Sequence, residues 1–314
     1  MFPSFQSVFF NELTFTGKWN IHPWDNDCYP EELKNSIIKT GIIHPPFVLE
    51  HQDKSFEVVS GHKRLLIAEK YLQSDQIGCF VLPENYPERV LLDLLLTDQS
   101  STPLSFAEKA RFVQIATGYM TKEEIITNFS GKLEIRGQIS AINEMLDLLK
   151  LDVEIIREIH NGRLQHKMIG ELLRIKIPED RLALVSLFKY LSLGGGKQKK
   201  LFSLIRDLAY RNHSSISEFL RSEELELILN HKEMNPPQKA QHLGSFLQTK
   251  LTPAYLESEN NFSSFVKGLE LPENLTLSHS QAFETDEVTL SILFNNSSEC
   301  QQLLPGIKEI VKSK

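Results

Sequence analysis

The sequence predicts an α+β chain: a small mixed α/β N-terminal domain (1–100), an all-helical middle in two parts (101–180 and 181–262), and a small α/β C-terminal domain (263–314). Three observations carry this. Short β-prone and helical runs alternate over the first hundred residues. Helical periodicity then continues almost unbroken from about 87 to 260. A two-residue alternation returns at Glu287-Val288-Thr289-Leu290-Ser291-Ile292-Leu293-Phe294. At 314 residues the chain is long enough for more than one core, since single cores seldom grow beyond ~250–300 residues.

Taken in order, Pro30 to Ile38 places Leu33, Ile37 and Ile38 at helical spacing behind two acidic residues, and Gly41 offers a stop. Phe47-Val48-Leu49 and Phe56-Glu57-Val58-Val59 are strands joined by the turn His51-Gln52-Asp53-Lys54, with Glu57 expected to alternate outward. His44-Pro45-Pro46 reads as a rigid turn, and Trp19, Trp24 and Phe2 to Phe15 as cover for an N-terminal core. Ser60-Gly61-His62-Lys63-Arg64 precedes a helical run at Leu65-Leu66-Ile67-Ala68, and Cys79 to Leu82 is a strand that Pro83 ends. Helices follow at Arg89–Leu96 and Phe106–Ala116, and Thr121-Lys122-Glu123-Glu124 forms a capping box that opens a helix through Phe129. Gln138–Leu149, Val153–His160 and Gln165–Ile175 continue the pattern. Gly194-Gly195-Gly196 reads as a flexible break before a long helix, Lys197–Arg211, and Pro305–Val311 as a last helix. No internal repeat is present.

With 41 % hydrophobic and 24 % charged residues, the composition excludes a collagen, a disulfide scaffold and a chain disordered throughout. Cys28, Cys79 and Cys300 are few, odd in number and widely spaced, which fits a reducing compartment and no zinc site. No signal-peptide pattern and no run of ~18 apolar residues occurs, so a cytoplasmic chain without a membrane partner is expected. The net charge of −7 argues against indiscriminate coating of nucleic acid. Divided by segment it is −6 over 1–100, near zero over 101–180, +6 over 181–221 and −6 over 222–314. One basic block thus lies between acidic ends, and contact with a polyanion is restricted to one face.

Two features bear chemistry. The strand–Gly61–helix turn presents free backbone N–H groups and a helix dipole end, with His62, Lys63 and Arg64 as cationic donors. That is a cradle for a phosphate, although the same residues also suit a solvated surface turn. The second feature is the helix pair Thr121–Phe129 and Gln138–Leu149, which suits a helix-turn-helix and also an ordinary helical hairpin. In the first case Gln138, Ser140, Ala141 and Asn143 would reach base edges, since amides read adenine in two places. Lys197, Lys199, Lys200, Arg206 and Arg211 would contribute phosphate contacts. Glu144 and Asp147 add negative charge to the reading helix and oppose DNA if they face it.

The order of these features resembles the ParB partition protein family over residues 25–178. The residues that carry it are Leu33-x-x-Ser36-Ile37 with Gly41-Ile42 and Pro45, then Glu57 to Leu65, Ser105 to Phe112, Thr121 to Ile125, Leu146 to Leu151, and Asn161-Gly162-Arg163-Leu164. The resemblance implies a ParB/sulfiredoxin-like N-terminal fold that binds CTP and a helix-turn-helix that binds double-stranded, centromere-like DNA. It also implies a nucleoid-associated homodimer and a ParA-like ATPase as partner. Gly61, His62, Lys63 and Arg64 match the family's nucleotide motif, while Leu66 stands at its last arginine. A second box falls on Thr97-Asp98-Gln99-Ser100-Ser101, where a threonine replaces the magnesium-holding acid and a serine the arginine. These departures count against magnesium-assisted CTP hydrolysis and leave weaker nucleotide binding open. No cysteine adjoins the phosphate turn, so sulfiredoxin chemistry lacks its thiolate. The alternatives are a nucleotide hydrolase or phosphotransferase using the N-terminal domain, with Glu57 and Glu69 the carboxylates nearest the glycine turn in sequence, and a regulatory adaptor that has lost DNA affinity.

Overall fold

Five short strands within the first 82 residues build one mixed sheet, of which two arise where the sequence shows no strand pattern. The computed structural model describes residues 3–24, 29–97, 103–280 and 285–312. β1 (Ser4–Phe9) and β2 (Leu13–Thr14) are the unexpected strands, followed by α1 (Glu31–Thr40), β3 (Phe47–Glu50), β4 (Phe56–Val58), α2 (His62–Tyr71) and β5 (Gln76–Leu82). The sheet order is β1-β5-β3-β4-β2, with β1–β5 and β3–β4 antiparallel and β3–β5 and β2–β4 parallel. β1 lies on an edge and all but one of its side chains are exposed, so it lacks the apolar alternation that marks a half-buried strand. Phe5 and Phe9 are exposed there and do not cover a core, whereas Trp19 is fully buried.

Glu57 departs from expectation in the same way. β4 is covered on both faces, and Glu57 is buried, accepting hydrogen bonds from the Trp19 N–H (3.2 Å) and His51 (3.2 Å). Its partners come from a loop and a turn that the strand pattern does not reveal. α1 ends as expected at Gly41, whose φ of +73° and N–H to the Ile37 carbonyl close the last turn.

The helical part contains α3 (Glu88–Thr97), α4 (Phe106–Ala116), α5 (Lys122–Leu133), α6 (Ile139–Leu148), α7 (Val153–His160), α8 (Ile169–Arg174), α9 (Pro178–Tyr190), α10 (Gly195–Arg211), α11 (Ile216–Leu220), α12 (Glu223–Leu229) and α13 (Pro236–Leu251). Capping boxes open α4 (Ser105 with Glu108) and α5 (Thr121 with Glu124), each satisfying two otherwise orphaned N–H groups. The helix expected at Gln165–Ile175 is a 3-10 turn, His166–Met168, leading into the six-residue α8.

Gly194-Gly195-Gly196 is not a flexible break. Gly194 caps α10, and Gly195 and Gly196 form its first turn. The buried Gln198 side chain fixes this end: its Nε2 donates to the Arg163 and Leu193 carbonyls (2.7 and 2.8 Å), and its Oε1 accepts from the Gln165 N–H (3.2 Å). A single buried amide thus offsets the entropy cost of three glycines.

Buried side chains from Trp19, Leu49 and Leu82 in the sheet region to Leu243 and Leu247 in α13 form one continuous apolar cluster. Beyond it come α14 (Pro253–Gly268), the hairpin β6 (Leu275–His279) and β7 (Val288–Ile292), and α15 (Ser297–Lys312), which is longer than the Pro305–Val311 run. Among the described residues no buried apolar side chain lies beyond Leu247.

Candidate functional sites

The Gly61 turn begins where β4 ends. The Val59 and Ser60 N–H groups both donate to the Phe47 carbonyl (2.9 and 3.1 Å), which turns the chain away from the sheet. Gly61 then adopts φ +83°, and α2 starts at His62 without a side-chain cap. A Cβ on Gly61 would sit 2.7 Å from Pro46 Cβ, so glycine is required both by the left-handed backbone and by the proline turn beneath it. The Arg64 guanidinium donates to the His44 carbonyl of that same turn.

Gly61, His62, Lys63 and Arg64 line one side of a cleft of about 400 Å³. Ser105 and Glu108 of α4, His22 and His160 line the other, and Ile21, Val59, Leu95 and Leu104 give it apolar surface. Glu108 is held there by three donors. Its Oε1 accepts from His22 Nδ1 (2.5 Å) and Lys63 Nζ (3.4 Å), and its Oε2 from the Ser105 N–H (2.7 Å). Burial pushes its carboxyl up, but the His22 hydrogen bond and charge, Lys63 and the Ser105 N–H pull it down to about 2.

His62 corrects the sequence reading. Burial, and then the charge of His22, push its imidazole down to about 3, so it is neutral and adds no positive charge. Its Nε2 is buried without a hydrogen-bond partner. The cationic side chains of the turn are therefore Lys63 and Arg64 alone. Cys79 is buried in β5, and burial pushes its thiol up to about 12, so it offers no thiolate.

The four turn residues are contiguous and hence legible in sequence, whereas His22, Glu108 and His160 reach the cleft only through the fold. One signal did exist: Ser105-x-x-Glu108 places Glu108 at the third position of α4, where a capping carboxylate turns back toward the helix start.

α5 and α6 pack against α4 and each other through Ile125, Phe129, Ile142, Met145 and Leu148. The opposite side of the α6 start is open: Gln138, Ser140 and Asn143 are exposed and Ala141 half-buried. Lys122 Nζ donates to Asn143 Oδ1 (2.7 Å), orienting that amide from α5. Glu144 is engaged by His166 (2.9 Å) and Asp147 by Lys150 (2.6 Å), so each acid has a cationic or imidazole neighbour.

The basic candidates of α10 divide. Arg206 is held by Asp207 (2.9 Å) and Glu171 (3.8 Å), and Arg211 donates to the Leu251 carbonyl (3.2 Å). Lys197, Lys199 and Lys200 are exposed. The box residues Asp98, Gln99, Ser100 and Ser101 lie outside the described residues, while Thr97 ends α3.

Residues 22–94, which contain this turn, match the model of the ParB N-terminal domain family. That stretch of the chain is similar to a ParB N-terminal domain. Over 178 residues, 50 % of its length, the chain is 27 % identical to a Nucleoid occlusion protein of Bacillus cereus (strain AH187), and the match spans 59 % of that relative. It is also similar to two structures of C-terminally truncated ParB from Caulobacter crescentus. The one complexed with CTP-gamma-S is 15 % identical, with 59 % of this chain and 98 % of that chain covered and a TM-score of 0.24. The one complexed to the centromeric parS site is 18 % identical, with 63 % and 97 % covered and a TM-score of 0.28. Among the described residues of this chain no helix is long and apolar enough to cross a membrane, and no group of three or more His, Cys, Asp or Glu is placed to hold a metal ion.

Proposed function

We propose that this chain is a ParB-like DNA-binding protein of chromosome or plasmid partition, nucleoid occlusion or related transcriptional regulation, with α5–α6 as a helix-turn-helix and a nucleotide phosphate held at Gly61. The observation that carries the DNA reading is the start of α6. Its buried residues Ile142, Met145 and Leu148 face the helical core, while Gln138, Ser140 and Asn143 stand exposed at its N-terminal turn, where base-reading side chains belong. The Lys150 ammonium offsets the charge of Asp147, and the hydrogen bond to His166 holds the Glu144 carboxylate, which reduces their repulsion from a duplex. In a duplex-binding assay with the preferred site, Asn143→Ala and Gln138→Ala are each expected to weaken specific binding roughly 10-fold, as loss of one bidentate amide–adenine contact costs ~1–3 kcal/mol. Binding to unrelated duplex should hold. Unchanged specific affinity in both variants would refute the assignment of α6.

The cleft fits a phosphate group, which the uncapped N–H groups of α2, Arg64 and Lys63 would hold. Bound CTP would supply a triphosphate to this turn, and the apolar surface at Ile21, Leu95 and Leu104 gives room for the rest of the molecule. Lys63 already shares its charge with Glu108, and Thr97 replaces an acid, so the chain's own residues favour nucleotide binding over magnesium-assisted hydrolysis.

A homodimer is supported by the C-terminal segment. Among its described side chains α14 has no buried one, and the hairpin places Leu275, Leu277, Val288, Leu290 and Ile292 on one face, with Val288 and Leu290 exposed. A two-stranded sheet is marginal alone, and the charge-free edge of β7 would pair with a strand of a second copy. Two copies joined in this way would read half-sites of inverted symmetry.

A further inference from the structure

Lys167 and two lysines of α10, Lys199 and Lys200, share a groove that neither the Gly61 cleft nor the exposed turn of α6 includes. It measures about 580 Å³ and lies between Lys167 and Met168 on one wall and Gly195, Gly196, Lys199, Lys200 and Ser203 on the other. Lys167, Lys199 and Lys200 are exposed, and among the described residues no acid pairs with them. That sets them apart from Lys109, Lys132, Lys150 and Lys250, which are paired with Glu134, Asp93, Asp147 and Glu224. Three uncompensated ammonium groups from two chain segments in one groove repel one another unless an anion lies between them.

Two features make the groove a rigid one. Gln198 ties the start of α10 to the Arg163 carbonyl and the Gln165 N–H, as described above. Gly195 lies so close to the Gln165 side chain that a Cβ there would sit 1.9 Å from Gln165 Cδ. One wall of the groove is also tied to α6 through the neighbouring residue. His166, the neighbour of Lys167, bonds Glu144 of α6 (2.9 Å) and stacks on Phe106 of α4 at 4.5 Å.

From this placement we infer that the Lys167–Lys199–Lys200 groove is a second DNA contact, which tracks the phosphate backbone without reading sequence, beside the base-reading turn of α6. The inference rests on the DNA reading proposed above and adds a separate function to it. Lysines act as point charges on phosphates and carry no base information, so α6 would select the site and the groove would hold the duplex. Lys197, one turn earlier on α10, lines a different groove against α13 and is outside this contact.

The test is the salt dependence of duplex binding by the full chain, with Lys167, Lys199 and Lys200 all changed to Ala or all to Arg. Each phosphate contact contributes ~0.9 to the slope of log affinity against log salt. The triple Ala variant is expected to lower that slope by ~2–3 and to leave the preferred site unchanged, and the triple Arg variant to keep the slope. A triple Ala slope equal to that of the unaltered chain overturns the groove while leaving the α6 reading in place. So does a triple Ala variant that loses affinity for phosphatidylglycerol vesicles but not for duplex. Absence of any duplex binding by the unaltered chain at low salt overturns the α6 reading itself, and the groove with it.

Discussion

Replacing Gly61 by alanine is expected to destabilise the chain by ~2–5 kcal/mol and to remove its nucleotide affinity. Two costs combine. A residue with a Cβ at φ +83° sacrifices ~1–2 kcal/mol in the left-handed region. The new Cβ would also stand 2.7 Å from Pro46 Cβ and 3.2 Å from Pro46 Cα. Pro46 belongs to a proline pair whose rigid backbone cannot swing aside, so the overlap adds ~1–3 kcal/mol of overpacking. Either the turn shifts, taking the α2 N–H groups and Arg64 with it, or the strain remains. Gly131 in α5 is the internal control, because nothing lies within 4 Å of its Cβ direction. Gly131→Ala should stabilise the chain by ~0.5–1 kcal/mol. Urea denaturation of the three proteins, with and without CTP, reads both effects. A Gly61→Ala protein as stable as the unaltered chain would contradict the turn geometry.

On acidification the chain is expected to lose stability from about pH 6.5 downward, before its carboxylates begin to titrate. His62 is pushed down to about 3 from an ordinary value of 6.5 by burial, with a smaller contribution from His22. Between those values the unfolded chain binds a proton at His62 and the folded chain does not, so stability falls as pH falls, by up to ~1.4 kcal/mol per pH unit. Glu108 acts lower. Held at about 2 against an ordinary 4.5, it contributes stability above pH 4.5 that is lost as pH falls toward 2. The window from 6.5 to 4.5 therefore isolates His62. His62→Asn keeps a neutral polar side chain and should flatten the dependence of unfolding free energy on pH in that window by ~1 kcal/mol per unit. An equally steep variant would show that His62 is not the buried neutral base described here.

What the sequence reveals and what it hides follow from the range of the interactions involved. α4 and α5 were legible because their caps are local: Ser105 with Glu108 and Thr121 with Glu124 lie three residues apart. Gly41 and the β3–β4 turn were legible for the same reason. β1 was not, because an exposed edge strand carries no apolar period, and Glu57 was misassigned because its hydrogen bond to the Trp19 N–H spans 38 residues. The start of α10 was misread since three glycines speak for flexibility, whereas Gln198, Arg163 and Leu193 meet only in the folded chain. The candidate sites divide alike. Gly61, His62, Lys63 and Arg64 are neighbours in sequence and line one cleft, but the neutrality of His62 comes from burial. The resemblance to ParB over 25–178 has its counterpart in the ParB N-terminal domain match at 22–94.

The central claim is that α6 reads duplex DNA in a two-fold arrangement. Selection of bound duplexes from a random-sequence pool by the full chain, beside a Gln138→Ala, Asn143→Ala double variant, tests it most directly. The expected result is enrichment of one inverted repeat by the unaltered chain, with that enrichment lost in the double variant while unselected duplex is still retained at low salt. A pool that stays random through repeated rounds with the unaltered chain, or the same inverted repeat enriched equally by both proteins, would contradict it.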